Sequence, residues 1–227
     1  METIKREKLF WASCIAMLVT SLSFGIRAGI MNRLVADFNL PTTELGVITA
    51  SAFWGFPPAI IVGGFIVDLI GVKKLLVMAF VMHLAGILLT VFASGYRMLF
   101  LSTLLIGIGN GTVEAACNPL FASLYTDNKT TKLNHFHFWF PGGIVIGTLL
   151  VLLLSAVNIG WQLQVALMII QTLAYSYLFS MLKFLVTEQE PADLSHPGEY
   201  HDRQPGIETK PRLLIRTHIP FIYVKTA

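Results

Sequence analysis

Charged side chains are scarce in this sequence: they make up 13% of its 227 residues, against about 25% in a typical soluble domain. Hydrophobic residues make up 55%. Because so little charge is available to cover a soluble surface, we expect a membrane protein whose first partner is the lipid bilayer. The basic residues lie between apolar segments rather than in one patch. We therefore expect no nucleic-acid partner.

Groups for covalent chemistry are missing as well. The sequence has two cysteines, Cys14 and Cys117, both within apolar segments and without the spacing of a metal site or a disulfide framework. No nucleophile stands beside a base, and the sequence has no phosphate loop and no cluster of metal ligands. We expect no enzyme, no metal and no cofactor.

Six long apolar segments are present, each close to the 20 or so residues that a helix needs to cross the hydrocarbon. They span residues 9–30, 44–67, 74–93, 98–125, 135–157 and 161–185. The sequence thus predicts an all-α membrane protein with a short N-terminus (residues 1–8) and a six-span bundle (residues 9–186). Residues 187–227 are polar and rich in proline, which predicts a disordered cytoplasmic tail.

Lysine and arginine are distributed unevenly between the predicted loops. One side of the membrane receives Lys5, Arg6, Lys8, Lys73, Lys74, Lys129, Lys132 and Lys183, and the other receives Arg33 and Arg97. Basic residues concentrate in cytoplasmic loops. We therefore expect both termini in the cytoplasm, in a multi-pass protein of a bacterial-type inner cell membrane.

Two sequence matches relate the first three spans to the last three. "GIRAGIMN" at residues 25–32 matches "GIGNGTVE" at 107–114, and "FPPAIIVG" at 56–63 matches "FPGGIVIG" at 140–147, with nearly the same offset. Three spans form each copy, so the second copy enters the membrane upside down, which predicts two inverted repeats. The glycines spaced four apart in the first match predict tight packing between spans one and four.

The segment after span two contains a glycine, then an aspartate four residues on, then a glycine and a basic pair: Gly64, Asp68, Gly71, Lys73 and Lys74. It resembles the signature loop of the major facilitator superfamily, although Leu69 stands where that family usually has a basic residue. The resemblance implies a gating loop in which the aspartate and the lysines hold neighbouring helices in the outward-open state. The alternative is a charged loop that only anchors helix ends at the headgroups.

Span four resembles the corresponding span of the fucose:proton symporter group of sugar transporters. It carries Glu114 followed four residues later by Asn118 and Pro119, and span five opens with Leu133 and Asn134. His137 replaces that group's glutamine, and Asn32 replaces its aspartate in span one. The resemblance covers the six spans and implies sugar transport.

Glu114 is the residue on which the functional hypothesis depends. A carboxylate at the bilayer centre costs at least about 2.5 kcal/mol, so the neutral acid is the expected form in a dry site. If the site opens to water on alternate sides, the carboxyl can load a proton outside and release it inside. Asn110 and Asn118 lie one turn away on either side, and Asn32 is expected to approach from span one. The alternative is a neutral carboxyl that only ties helices together.

Three other titratable side chains have open roles. Arg27 is a partner for Glu114, a site for an anionic solute, or a side chain that reaches the headgroups. His137 can titrate near neutral pH, although an interfacial histidine without a relay role is the more common case. For His83, in the middle of span three, a packing role is favoured.

The sequence therefore predicts proton-coupled symport of a small polar solute such as a sugar. Six spans make half of a major facilitator fold, whose two halves enclose the site between them. Three readings follow: a fragment of a longer transporter, a half that pairs with a second half or with its own copy as a homodimer, and a membrane scaffold without transport.

Overall fold

A computed structural model describes residues 2–125 and 128–181, and within them every regular element is an α-helix. The helices are α1 (Glu2–Phe38), α2 (Thr42–Ile70), α3 (Val72–Val91), α4 (Tyr96–Leu124), α5 (Lys129–Ala156) and α6 (Trp161–Met181). All six are long and apolar enough to cross a membrane. The predicted all-α six-span fold is confirmed; the predicted tail, residues 187–227, lies outside the described residues.

The helices pack in a pattern that repeats. Helix α1 packs on α5 as α4 packs on α2, α3 packs on α4 as α6 packs on α1, and α3 meets α6. Exchanging the first three helices for the last three leaves this pattern unchanged. Burial follows the same rule, because α1 and α4 are the most buried helices and α2 and α5 the least. The packing agrees with the two three-helix repeats predicted from the sequence.

The repeated glycines make close contacts, but not between α1 and α4 as we predicted. A Cβ on Gly25 would meet the backbone of α5 at Ile144 and Thr148, and a Cβ on Gly107 would meet the backbone of α2 at Ala52. Successive spans alternate in direction, so α1 and α5 run the same way, as do α2 and α4. The small residues therefore serve these two parallel pairs, where backbones approach closely.

The sequence matches face each other across the two repeats. Gly147 of the second match packs on Gly25 of the first, and Phe24 contacts both Phe56 and Phe140, with ring centroids 6.2 and 5.7 Å apart. Phe56 and Phe140 occupy equivalent places in the two repeats. Gly111 of the first match likewise packs on Phe56 of the second, so matched residues join α1 to α5 and α4 to α2.

Candidate functional site

A cavity of about 270 Å³ lies between α1, α2, α4 and α5, in the half of the bundle that contains the α1–α2 junction. Most of its lining is apolar. The lining residues are Phe24, Arg27, Ala28, Met31, Leu34, Leu45, Ile48, Thr49, Ala52, Phe53, Thr103 and Ile144. Arg27 is the one charged side chain among them. We call this space the Arg27 cavity.

The Arg27 guanidinium is held by two threonines from other helices. It donates to the Thr103 hydroxyl of α4 and, over 3.1 Å, to the Thr90 hydroxyl of α3. Each threonine donates its own hydrogen to a carbonyl one turn back, at Gly86 and Leu99. Both hydroxyl oxygens are therefore free to accept, and they fix the guanidinium at the wall of the cavity.

The charge of Arg27 is not neutralised in the described part of the chain. Its Nε atom is buried without a hydrogen-bond partner, and no ion pair joins the guanidinium to an acid among residues 2–125 and 128–181. Threonine hydroxyls satisfy donors but carry no charge. Of the three roles predicted for Arg27, the one in which it pairs with Glu114 is wrong for this conformation.

Glu114 lies in α4 on the same face as Thr103, three turns further along. Eleven residues at 1.5 Å each place its Cα about 16 Å from that of Thr103, which is too far for Arg27 to reach. The side chain is partly buried. Within the described ranges its carboxyl has no hydrogen-bond or ion-pair partner.

Asn110, which we expected to serve Glu114, is bonded elsewhere. Its Oδ1 atom accepts from His83 Nε2 at 2.8 Å, and its Nδ2 atom donates to the Ser23 hydroxyl at 3.0 Å. The side chain is buried between α1 and α3. Its oxygen and its nitrogen each have a protein partner and the side chain is buried, so Asn110 is held away from the carboxyl of Glu114.

These hydrogen bonds form a chain in which the donors and acceptors follow one another in a single order. Ser23 donates its hydrogen to the Thr20 carbonyl at 2.6 Å, so it accepts from Asn110. The Asn110 oxygen then faces His83, whose Nε2 atom carries the hydrogen, and His83 Nδ1 accepts from the Tyr175 hydroxyl at 3.1 Å. The buried packing role predicted for His83 is confirmed. We call Tyr175, His83, Asn110 and Ser23 the His83 chain.

The other asparagines and His137 are not brought together. Asn32, Asn134 and His137 are exposed, and no described contact joins any of them to Glu114. Asn118, one turn after Glu114, has a buried Oδ1 atom without a partner. Of the four side chains, Asn118 is the one that lies next to Glu114 on α4; the solute-binding roles of the other three stay predictions.

Most of the signature segment is helical, and its non-helical part is a single residue. Gly71 alone separates α2 from α3, with φ 83° and ψ 155°, a conformation essentially restricted to glycine. Gly64, Asp68, Lys73 and Lys74 are exposed. No ion pair links the aspartate to either lysine in this part of the structure. Among residues 2–125 and 128–181, no hydrogen bond or ion pair joins Asp68, Lys73 or Lys74 to a neighbouring helix, so their gating role stays a prediction.

Comparison with known proteins agrees with this architecture. The chain matches the Major Facilitator Superfamily over residues 13–223, further than the six spans to which we expected the resemblance to extend. It is 26% identical to a TsgA homolog of Buchnera aphidicola, over 57% of the chain and 33% of that protein. It is 25% identical to the probable anion transporter 6, chloroplastic, of Arabidopsis thaliana, over 66% of the chain and 29% of that protein.

A third relative, the D-xylose-proton symporter-like 2 of Arabidopsis thaliana, is 27% identical over 58% of the chain and 26% of its own length. The chain thus spans between about a quarter and a third of these three relatives. Members of the matched family are membrane transporters rather than enzymes. With six spans, the packing of two three-helix repeats and a family match over residues 13–223, this chain belongs to the Major Facilitator Superfamily.

Proposed function

We propose that this chain forms one half of a secondary transporter that couples the movement of a small solute to protons through Glu114. One observation carries the proposal: a carboxyl on the centrally packed helix α4 that is partly buried and has no partner within residues 2–125 and 128–181. A carboxyl that only tied helices together would be hydrogen-bonded to one of them.

The energetics favour proton exchange at this position. An ionised carboxylate is expensive to keep inside a membrane, so residues of this kind are usually functional. Glu114 is only partly buried, and the proposal requires that water reach it at this exposed part. When solute and proton change each other's affinity, the gradient of one drives the other.

The rest of the transporter is proposed from the family. A second six-helix half, from a longer polypeptide or from another copy, would complete the site against α2 and α5, which are the most exposed helices of the bundle. The distribution of lysine and arginine supports an orientation with the N-terminus in the cytoplasm, and an inner cell membrane is the proposed location. The signature-loop residues would form gating contacts in another conformation.

A sugar is one candidate solute. The resemblance in α4 supports it, and so does the relative named for D-xylose and protons. The Asn110 amide, which we expected to bind a polar solute, gives it no support because the side chain is buried and both its oxygen and its nitrogen already have protein partners.

Uptake into proteoliposomes that contain both halves of the transporter, as one longer polypeptide or as two copies of this chain, tests the proposal. The probes are D-xylose, as a sugar, and butyrate and benzoate, as small organic anions. We expect one or more of them to accumulate inside when the outside is acidic, and a protonophore to abolish that accumulation. Glu114→Gln is expected to lose gradient-driven accumulation while keeping exchange of labelled for unlabelled solute. Glu7→Gln, at an exposed position in α1, is the matched control.

Two results would contradict the proposal. The first is accumulation by Glu114→Gln that equals the wild type. The second is wild-type accumulation that ignores the protonophore.

A further inference from the structure

We propose that the solute is a small monocarboxylate, bound through its carboxylate by Arg27 in the Arg27 cavity. This inference names the solute class of the transporter proposed above and rests on that function. It depends on the charge, the donors and the size of the cavity, each of which the described residues supply.

Arg27 carries a positive charge that the described residues do not neutralise. Arg27 is largely buried and has no acidic partner in the described ranges. A buried charge without a counter-ion is strongly unfavourable, and neutral hydroxyls relieve it only in part. An anion in the adjoining cavity would supply the missing charge. Since the cavity has one cation, a monoanion matches it better than a doubly charged phosphate does.

The lining of the Arg27 cavity offers few hydrogen-bond donors to a solute. The cavity lining has two hydroxyl groups besides the guanidinium, those of Thr49 and Thr103. Thr49 donates its hydrogen to the Leu45 carbonyl at 2.9 Å, and Thr103 donates to the Leu99 carbonyl. Two guanidinium hydrogens are used by the threonines, and its planar fork has five in all. Arg27 is therefore the main remaining donor, and it suits the two oxygens of a carboxylate.

The rest of the cavity wall is apolar. Apart from these three residues, the lining consists of aromatic and aliphatic side chains, among them Phe24, Met31 and Phe53. A sugar brings several hydroxyl groups that would lose their water without finding partners on such a wall. A carboxylate with a short hydrocarbon or aromatic body buries its apolar part there. The volume of about 270 Å³ limits the solute to a small one.

Thermal unfolding of the purified full chain tests this inference, followed by the fluorescence of its four tryptophans. The probes are butyrate and benzoate, each beside its neutral amide, butyramide and benzamide, with D-xylose as the sugar and sodium chloride as the ionic control. We expect both carboxylates to raise Tm in a concentration-dependent way, and the amides, xylose and chloride not to do so.

Substitutions at Arg27 locate the effect. Arg27→Gln is expected to abolish the rise, and Arg27→Lys, which keeps the charge but loses the fork, to weaken the apparent affinity by about tenfold. Arg97→Gln, at an exposed arginine in the first turn of α4, is the matched control and should respond like the wild type. The wild-type comparison of each acid with its amide decides the question even if Arg27→Gln fails to fold.

The inference is overturned if no carboxylate raises Tm, if an amide or xylose raises it equally, or if Arg27→Gln still responds. Binding is measured here without a gradient, so it is independent of coupling. Proton-driven xylose uptake that is lost in Glu114→Gln, with no carboxylate binding, would remove the solute class and leave the transport function standing. Carboxylate binding without proton-dependent uptake would remove the proposed transport function and leave the carboxylate site standing.

Discussion

His83 and Arg27 are both basic side chains inside the helix bundle, and both touch two other helices. Each nitrogen of the His83 ring has a partner, and the chain from Tyr175 ends on a backbone carbonyl. Arg27 donates to two threonines, leaves Nε without a partner and has no counter-charge in the described ranges. The His83 chain is closed within the protein; the Arg27 site is incomplete.

This contrast separates structural from functional polarity. A buried polar network in which every member is bonded stabilises one packing of its helices, and removing any member leaves another unpaired. A buried charge that the protein itself leaves uncompensated destabilises the fold. Such a residue is explained if a ligand completes it. Stability measurements can therefore distinguish the two sites before any solute is identified.

The largest effect is expected at the His83 chain. His83→Leu leaves the Asn110 oxygen and the Tyr175 hydroxyl unpaired, so we predict a loss of about 2 kcal/mol in the free energy of unfolding, near the low end for two buried orphan groups. His83→Gln, which can still donate to Asn110, should lose less. His135→Leu, at an exposed histidine of α5, is the control. Equal stability of His83→Leu and the wild type would show that the chain does not hold the helices.

Arg27 should behave in the opposite way. Replacing an uncompensated buried charge by an apolar side chain of similar length is often stabilising, and for Arg27→Met we predict a gain of about 1 kcal/mol in the free energy of unfolding. The same substitution should abolish the rise of Tm with butyrate. A clear loss of stability in Arg27→Met would mean that the two threonine bonds already compensate the charge, and the contrast with His83 would fail.

Tyr175→Phe removes one hydroxyl from the His83 chain. Its loss leaves His83 Nδ1 without a donor, and the expected cost is about 0.6 kcal/mol, the average for a hydrogen bond between membrane helices. Tyr177→Phe on the same helix is the matched control, because Tyr177 is 61% exposed and its hydroxyl has no partner in the described structure. We expect chemical denaturation to show a difference between the two variants; identical midpoints would place Tyr175 outside the chain.

Glu114→Gln should have the smallest effect on stability. The carboxyl has no partner within residues 2–125 and 128–181, so its replacement by an amide of the same shape should change the free energy of unfolding by less than about 0.5 kcal/mol. Its effect on proton-driven uptake should nevertheless be large. If Glu114→Gln instead unfolds at a much lower temperature than the wild type, the glutamate holds the bundle together and the proposed coupling role loses its support.

The sequence predicted the number and order of the helices because crossing the hydrocarbon needs a fixed length of apolar chain. It predicted their ends less well. Helix α1 continues to Phe38 and α5 begins at Lys129, beyond the predicted spans 9–30 and 135–157, because a helix does not stop where its apolar residues do. The repeat was also visible in the sequence, since matched residues recur at one offset.

Partners on other helices were beyond prediction. The spacing of Asn110 and Glu114 placed them on adjacent turns, but the rotation of α4 against α1 and α3 brings the amide to Ser23 and His83 instead. Likewise the sequence left three roles open for Arg27, because its contacts with two threonines depend on how α3 and α4 are offset. Local spacing does not contain that information.

The most direct test of the coupling is the number of protons taken up when butyrate binds to the purified chain in weakly buffered solution, measured over a pH range that extends to values at which Glu114 is ionised before binding. If Glu114 and the Arg27 cavity are coupled, binding of the anion must favour the protonated carboxyl, and each site must change the affinity of the other by the same factor. At the pH values where Glu114 is ionised before binding, we predict proton uptake by the wild type and none by Glu114→Gln at saturating butyrate. Equal proton uptake by both, or butyrate binding by the wild type with no change in bound protons, would contradict it.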